Sequence, residues 1–573
     1  MTHQRARGTR RVWVPAAFLG LFGAVILVRL VQLQVFEHAR YAEAARAELT
    51  GNETIYARRG SLLDRNGNVL AMSVSTWNIS VSSRVWKLDS VAGPASEALG
   101  KYLGMDPVQL RSEVQQAKTI DVVVKRNVDY ETGRQIEADG IPGVMAVANS
   151  RRVNPDGDLA AGLLGLTGFD NQGLAGLESS YNSVLQGKPG KTVYERDTTG
   201  EPIPYGEYVA VAPQPGDDLV LTIDRTLQQM AETRLEAAIK EHKAKGGTIL
   251  VLDPQTMEIL ALASSPGLKY STINLNDPAQ MSLLNNPSIT NVYEPGSVMK
   301  IVTASAAIDQ GVVTPDTTYV DTGVVYIYGT PIYNWDNSTY GRQTMTGVLQ
   351  NSINTGAVFM VEKLGAATFH KYLDAFGFGR PTGIDYPGEA AGIVRRPWDK
   401  DWSPVDLATQ SFGQSISVTP LQMLTAVAAA INGGKLMKPH LVKAHIASDG
   451  TRTEVQPVVE SQPIKPETSA TIRSMLGQVI SQDPPGTGRN PRLYTAGGKS
   501  GTANVPVWNG YDDTQIASFV GFAPLEHPRI LMLIKLDQNQ DFQTGTVAAG
   551  PIFRTFADDA LQYLGVKPDK GTP

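Results

Sequence analysis

From Val12 to Val28 the chain carries no ionisable side chain, and after Arg29 the run resumes as Leu30-Val31-Gln32-Leu33-Gln34-Val35-Phe36. As a helix, the stretch 12–36 is long enough to cross a hydrocarbon layer of about 30 Å with some tilt. Beyond it the pattern becomes globular. Leu219-Val220-Leu221-Thr222-Ile223 reads as a short strand, with Asp224 as N-cap of a helix over 225–243. Thr248-Ile249-Leu250-Val251-Leu252 and Ile259-Leu260-Ala261-Leu262-Ala263 flank a polar segment, which predicts a strand–loop–strand hairpin. Small and apolar residues from Tyr293 to Gly311 predict a buried helix, and Ile516–Phe522 with Ile530–Lys535 a further strand pair. Helices set between antiparallel strands imply an α+β catalytic domain. Residues 38–215 have a mixed texture with turn signals at Asn66-Gly67, Pro155-Asp156-Gly157 and Gly187-Lys188-Pro189-Gly190, and the texture changes near Pro213-Gln214-Pro215-Gly216. The expected division is a tail 1–11, an anchor 12–36, a non-catalytic region 38–215 and a catalytic domain 216–573.

Charge orients the anchor. Arg5, Arg7, Arg10 and Arg11 precede it with no acid among residues 1–11, which places the N-terminus in the cytoplasm and the chain after Phe36 outside. A cleaved signal peptide has a shorter apolar core and a small-residue site behind it; here Val-Arg-Leu-Val-Gln-Leu-Gln follows, so the segment reads as uncleaved. Arg29 and Gln32 share one helix face, either to dock against a partner's membrane helices or because Arg29 snorkels to the outer interface. The 573 residues sum to a net charge of −5 and include no cysteine. Disulfide scaffolds, zinc–thiolate sites, iron–sulfur clusters and thiol catalysis are thereby excluded, and no basic footprint for nucleic acid is present. The seven histidines (His3, His38, His242, His370, His440, His445, His527) follow no metal-ligand spacing, so no metal and no cofactor is expected.

Three short motifs carry candidate chemistry. In Tyr293-Glu294-Pro295-Gly296-Ser297-Val298-Met299-Lys300, the Pro-Gly turn puts Ser297 in a first helical turn with Lys300 one turn on, on the same face. A serine hydroxyl needs a base to become a nucleophile, and a lysine serves once burial or a second cation lowers its pKa. Ser-x-x-Lys alone is weak, because surface Ser and Lys share this spacing by chance; the apolar helix behind it gives the lysine a reason to be there. Ser352-Ile353-Asn354 offers a hydroxyl and an amide to relay a proton and hold a substrate amide, and read in isolation is a loop or helix cap. Gly497-Gly498-Lys499-Ser500-Gly501-Thr502-Ala503 is no phosphate-binding loop, since position 493 is Leu where that motif needs Gly. It reads instead as an extended strand offering a cation, a hydroxyl and backbone donors to a carboxylate-bearing peptide added alongside. No Gly-x-Ser-x-Gly elbow occurs, so a Ser-His-Asp hydrolase lacks its signature.

Ser-x-x-Lys, Ser-x-Asn and Lys-Ser-Gly in this order resemble the signature of the penicillin-binding proteins. Arg59-Gly60-Ser61-Leu62-Leu63-Asp64-Arg65-Asn66-Gly67, Gly176-Leu177-Glu178 and Asp197-Thr198-Thr199-Gly200 are similar to pedestal boxes of class B members. Phe376-Gly377-Phe378-Gly379, Thr382-Gly383-Ile384-Asp385, Pro387-Gly388-Glu389 and Ala517–Pro524 extend the likeness nearly end to end. Two positions depart from it: Ser415 stands where glycine is usual, and Arg152-Val153-Asn154-Pro155 replaces Arg-x-Tyr-Pro. The resemblance implies an anchored pedestal under a serine-β-lactamase-like domain that cross-links peptidoglycan as a D-Ala-D-Ala transpeptidase. It implies Ser297 as nucleophile and Lys300 as its base, with the backbone N–H groups of Ser297 and Thr502 as the oxyanion hole. Ser352 would relay a proton, Asn354 hold substrate, Lys499 supply positive potential, and Ser500, Gly501 and Thr502 line the carboxylate subsite. The implied partners are peptidoglycan stem peptides on lipid II-derived glycan, β-lactams as inhibitors and a SEDS-family glycan polymerase (FtsW- or RodA-like), with a division role of FtsI or SpoVD type favoured over elongation. The competing readings are a D,D-carboxypeptidase or other hydrolase using water as acceptor, and a non-catalytic β-lactam receptor or scaffold.

Overall fold

In the computed structural model the chain forms two units, Met1–Ala57 with Lys188–Gln214, and Arg58–Gly187 with Pro215–Pro573. The residues described are 5–168, 170–195, 208–507, 510–541 and 543–571; Asp197-Thr198-Thr199-Gly200 lies outside them.

In the first unit the helix Arg5–Val31 runs into a five-residue π-turn, Gln32–Phe36. Trp13–Phe36, of mean hydropathy 2.3 and wholly exposed, is among the described residues the one helix long and apolar enough to span a membrane. Arg29 Nη1 donates to Gln32 Oε1 (2.8 Å), and Gln32 Nε2 donates to Glu37 Oε1 (2.8 Å). The helix His38–Leu49 follows, then Thr50–Ile55, which pairs with Gly190–Glu195, itself paired with Tyr208–Val211.

The second unit is organised by an antiparallel five-stranded sheet in the order Ile259–Ser265, Gly246–Leu252, Ile530–Asn539, Gly510–Ala523, Gly497–Val507. Both faces are covered, which is why its central strands are apolar throughout rather than alternating. Ile249 and Val251 pack with the helices Arg225–His242 and Gly550–Tyr563; Leu250 and Leu252 point into the opposite core with Lys300–Asp309, Pro420–Ile431 and Pro466–Ile480. Every residue of Pro420–Ile431 is buried, as a helix apolar all round but for Gln422 and Thr425 is at the centre of a domain. The Asp224 side chain accepts from the N–H groups of Thr226 and Leu227, and the helix it caps ends at Lys243 in the left-handed region (φ +48°).

The strand foreseen at 219–223 is Asp218–Leu221; its register shifts between Val220 and Leu221, and the Thr222 N–H makes one further bond, to Leu441 O (2.8 Å). It pairs in parallel with Leu62–Leu63 and antiparallel with Val442–Ile446, in a seven-stranded sheet that takes strands from both sides of residue 215. Nearby, Glu178 is buried between two guanidinium groups: Arg59 Nε donates to its Oε2 (2.6 Å) and Arg152 Nε to its Oε1 (2.7 Å). Asn154, in place of the usual tyrosine, donates through Nδ2 to Leu70 O (3.3 Å) and to the Tyr270 hydroxyl (3.4 Å).

Candidate active site

The Pro295-Gly296 turn is pressed against a second loop. Gly296 has φ +55° and donates its N–H to Gly413 O (3.0 Å), while a Cβ at Gly413 would lie 2.1 Å from Gly296 O. Both positions therefore need glycine. The foreseen helix 293–311 begins as a 3-10 turn, Gly296–Met299, and becomes α-helical as Lys300–Asp309. Side chains three apart eclipse one another in a 3-10 turn, which sets Lys300 directly over Ser297. Lys300 Nζ lies 3.0 Å from Ser297 Oγ.

Lys300 is 0% exposed and Lys499 1%. Lys300 Nζ donates to Ser352 O (2.6 Å) and Asn354 Oδ1 (2.8 Å), with Ser352 Oγ at 3.4 Å. Lys499, on the edge strand Gly497–Val507, donates to Ser352 Oγ (2.9 Å) and Ser500 O (3.1 Å). Ser352 is thus the link between the two amines; its left-handed backbone (φ +56°) closes the end of the helix Met345–Gln350, and both its hydroxyl and its carbonyl face the lysines. Asn354 opens the helix Asn354–Leu364; its Nδ2 donates to Tyr333 O (2.9 Å), and its N–H and that of Thr355 donate to Asn334 Oδ1 (3.1 and 3.2 Å). Burial, and then the Lys499 charge, push Lys300 well below the usual lysine pKa. Burial, and then the Arg489 charge, push Lys499 down to about 7.

These groups open onto a cleft of about 580 Å³. Ser297, Ser352, Asn354, Lys499, Ser500 and Thr502 line it, so the three motifs meet at one place. Gly501 does not: its missing Cβ would sit 2.5 Å from Ser518 Oγ and 2.8 Å from Pro295 O, so it faces inward and lets the strand close on the Ser297 turn. Thr502 Oγ1 accepts the Gly545 N–H (3.2 Å), which leaves its own proton to be donated into the cleft. The motifs missed Trp335, Tyr340, Thr544 and Arg489, which also line it. A Trp between polar residues in Asn334-Trp335-Asp336 was the one visible hint; Arg489 sits in a glycine-rich segment with none. Ser415 also has a left-handed backbone (φ +56°), at the position where glycine is usual; its N–H donates to Glu294 Oε1 (2.8 Å) and its Oγ accepts from Thr409 Oγ1 (3.0 Å).

Residues 247–558 match the penicillin-binding protein transpeptidase domain, and residues 54–221 match the penicillin-binding protein dimerisation domain. The chain belongs to the class B penicillin-binding proteins. This penicillin-binding protein is 34% identical to stage V sporulation protein D of Bacillus subtilis over 96% of its own length and 86% of that protein's. It is 30% identical to the probable peptidoglycan D,D-transpeptidase PenA of Neisseria meningitidis serogroup A, over 96% and 91% of the two chains. Among solved structures it resembles penicillin-binding protein 3 of Mycobacterium tuberculosis complexed with aztreonam, with TM-score 0.68, 27% identity and coverage of 91% and 99%. The mixed α+β fold and the family foreseen from the three motifs are those found.

Proposed function

We propose that this penicillin-binding protein is a peptidoglycan D,D-transpeptidase that works through an acyl-Ser297 intermediate. The observation that carries the reading is the set of partners of Lys300. A neutral amine has two hydrogens and one lone pair. Ser352 O and Asn354 Oδ1 are acceptors only at these contacts, and they take the two hydrogens. The lone pair is left for the Ser297 hydroxyl at 3.0 Å, within proton-transfer reach. Burial and the neighbouring Lys499 favour the neutral amine this requires.

Ser297 Oγ then attacks the penultimate D-Ala carbonyl while Lys300 takes its proton. The backbone N–H groups of Ser297 and Thr502 receive the oxyanion; loss of one such donor in other enzymes costs roughly 10²–10³ in rate. The proton passes from Lys300 through Ser352 Oγ to the departing D-Ala nitrogen, a path supported by the contacts of 3.4 Å and 2.9 Å on that oxygen. Asn354 orients Lys300, and its remaining N–H is available to the substrate amide. Ser500 and Thr502 hold the terminal carboxylate along the edge strand, which among the described residues pairs on one side only and so accepts an added strand. An amine from a neighbouring stem peptide resolves the acyl-enzyme and forms the cross-link; β-lactams stall at that stage. In this reading the N-terminus lies in the cytoplasm and the catalytic domain outside, which the four arginines ahead of the anchor 12–36 support, with a SEDS-family glycan polymerase as membrane partner and a division role of the sporulation-protein-D type.

The test is fluorescent-penicillin labelling of the full-length chain in detergent beside Ser297→Ala, with a chase over hours. Label that is lost in the variant and persists through the chase supports the reading. Rapid loss of label from the wild type identifies a hydrolase, and no label refutes the acyl-Ser297 chemistry.

A further inference from the structure

The cleft holds a third cation that the three motifs leave unused. Arg489 lines it beside Lys499 and is 7% exposed. Its loop is firmly held by contacts that do not involve the guanidinium. Asp483 Oδ2 accepts the Arg489 N–H (3.1 Å), and Asn490 Nδ2 donates to Asp483 O (2.6 Å). Arg554 donates to Gly486 O (3.0 Å) and Gly488 O (3.2 Å), and Lys570 Nζ to Asn490 Oδ1 (2.6 Å). Nη2 donates to Gln482 Oε1 (3.2 Å), and Nε lies 3.1 Å from Asp483 Oδ2 as an ion-pair contact. Among the described residues no acceptor lies within hydrogen-bond distance of Nη1, which is left free to donate to a ligand.

The charge around the cleft is one-sided. Lys499 and Arg489 line it with Lys300 beneath, and among its described lining residues there is no Asp or Glu. Arg489 is close enough to Lys499 to bear on its protonation, so both cations act on one region of the cleft. That arrangement is complementary to an anion, and a guanidinium fork suits a carboxylate in particular.

We propose that Arg489 is a further residue of the substrate-carboxylate subsite, donating through Nη1 to the terminal carboxylate of the acyl donor alongside the hydroxyls of Ser500 and Thr502. The assignment rests on the acyl-Ser297 reading above. The carboxylate is remote from the carbonyl under attack, so Arg489 acts on binding and leaves the first-order acylation step nearly unchanged.

The test compares acylation of the full-length chain by benzylpenicillin and by its methyl ester, which lacks the anionic carboxylate. Arg489→Gln is expected to lower the second-order acylation constant for the acid on the order of 10- to 100-fold, the range of a lost charged hydrogen bond, with the ester changed less than about threefold. The acid-over-ester preference then collapses. Equal loss for both ligands, or loss for neither, overturns the assignment. Should Arg489→Gln fail to give a cooperative melting transition, Arg489→Lys is read in the same way: a reduced preference supports the assignment and an unchanged one overturns it. Wild-type protein that forms no adduct overturns the acyl-Ser297 reading and this one together. A normal wild-type adduct with an Arg489-independent preference overturns this one alone.

Discussion

Replacing Lys499 by Gln removes a positive charge from beside Lys300 at little change in length, and the structure sets the size of the effect. Contacts of 3.4 Å from Lys300 and 2.9 Å from Lys499 meet at Ser352 Oγ, so the two nitrogens are at most about 6 Å apart. Two unit charges at that separation repel by about 3 kcal/mol at an effective dielectric of about 20, and by about 0.7 kcal/mol in bulk water. These bounds correspond to roughly 0.5–2 pH units in the titration of Lys300. The direction follows from which form reacts. Lys300 must be neutral to take the Ser297 proton, and the positive charge of Lys499 pushes the Lys300 pKa down. Its charge therefore favours the reactive form, and Lys499→Gln moves the acid limb of the acylation profile upward by roughly 0.5–2 pH units. The wild type also has an alkaline limb near 7, where Lys499 loses the charge that attracts the ligand carboxylate, and the variant lacks it. The assay is the second-order rate of fluorescent-penicillin acylation between about pH 5 and 9, which reports the free enzyme. Lys499→Arg, which keeps the charge, leaves the acid limb in place. An acid limb that stays put or moves down in Lys499→Gln refutes the electrostatic account of the base.

Three further predictions rest on single contacts. Asn354→Asp keeps the shape of a Lys300 acceptor but adds a negative charge 2.8 Å from Nζ, which favours the protonated amine; acylation at neutral pH falls by at least about tenfold and recovers as pH rises, and a pH-independent loss would speak against a charge effect. Glu178→Ala leaves Arg59 and Arg152 buried without their shared carboxylate and destabilises the fold by about 3–5 kcal/mol, read by calorimetry; a change below about 1 kcal/mol would show that the network carries little stability. At Ser415, alanine loses the bond from Thr409 and keeps the left-handed backbone, at a cost of about 1 kcal/mol, whereas glycine relieves about 1–2 kcal/mol of backbone strain and stays within about 1 kcal/mol of wild type; a glycine variant less stable than the alanine one would contradict this.

What was legible in the sequence is what is encoded locally. Asp224 announces a helix because a cap acts on N–H groups two and three residues away, and both bonds are present. Ser297 and Lys300 were found because three-residue spacing suffices to align them. The strand at Gly497 was legible from its glycines, but not that Gly501 faces inward, since that depends on Ser518 in the neighbouring strand and Pro295 beside it. Thr222 and Ile223 continue the run and still leave the strand, whose register against Val442–Ile446, far away in sequence, already shifts between Val220 and Leu221. Arg489 was invisible for a related reason. Its loop is held both by its own Asp483 and Gln482 and by Arg554 and Lys570 from the C-terminal part of the chain, and only the latter bring it to the cleft, which its segment does not mark.

The three cations also explain why the site is surrounded as it is. A buried lysine is costly in its charged form, and several set together raise that cost through mutual repulsion. Arg489 has Asp483 as its ion-pair partner, but a cleft serving only stability would place a carboxylate between the two lysines as well, and among the described lining residues there is none. An added carboxylate would hold Lys300 protonated and remove the base, so the neutralising partner must arrive with the ligand. The protein instead satisfies the amines with groups that carry no charge: Ser352 O, Ser352 Oγ, Asn354 Oδ1 and Ser500 O. These fix the direction of each Nζ without fixing its proton. Ser352 offers its carbonyl to one lysine and its hydroxyl to both, and its left-handed backbone is that of the residue just past the helix Met345–Gln350, whose end is closed by the Ile353 N–H donating to Val348 O (3.0 Å). On this view the uncharged partners of the amines and the lack of Asp or Glu among the described residues lining the cleft have one cause, the need for a lysine that is buried, oriented and neutral at the moment Ser297 gives up its proton.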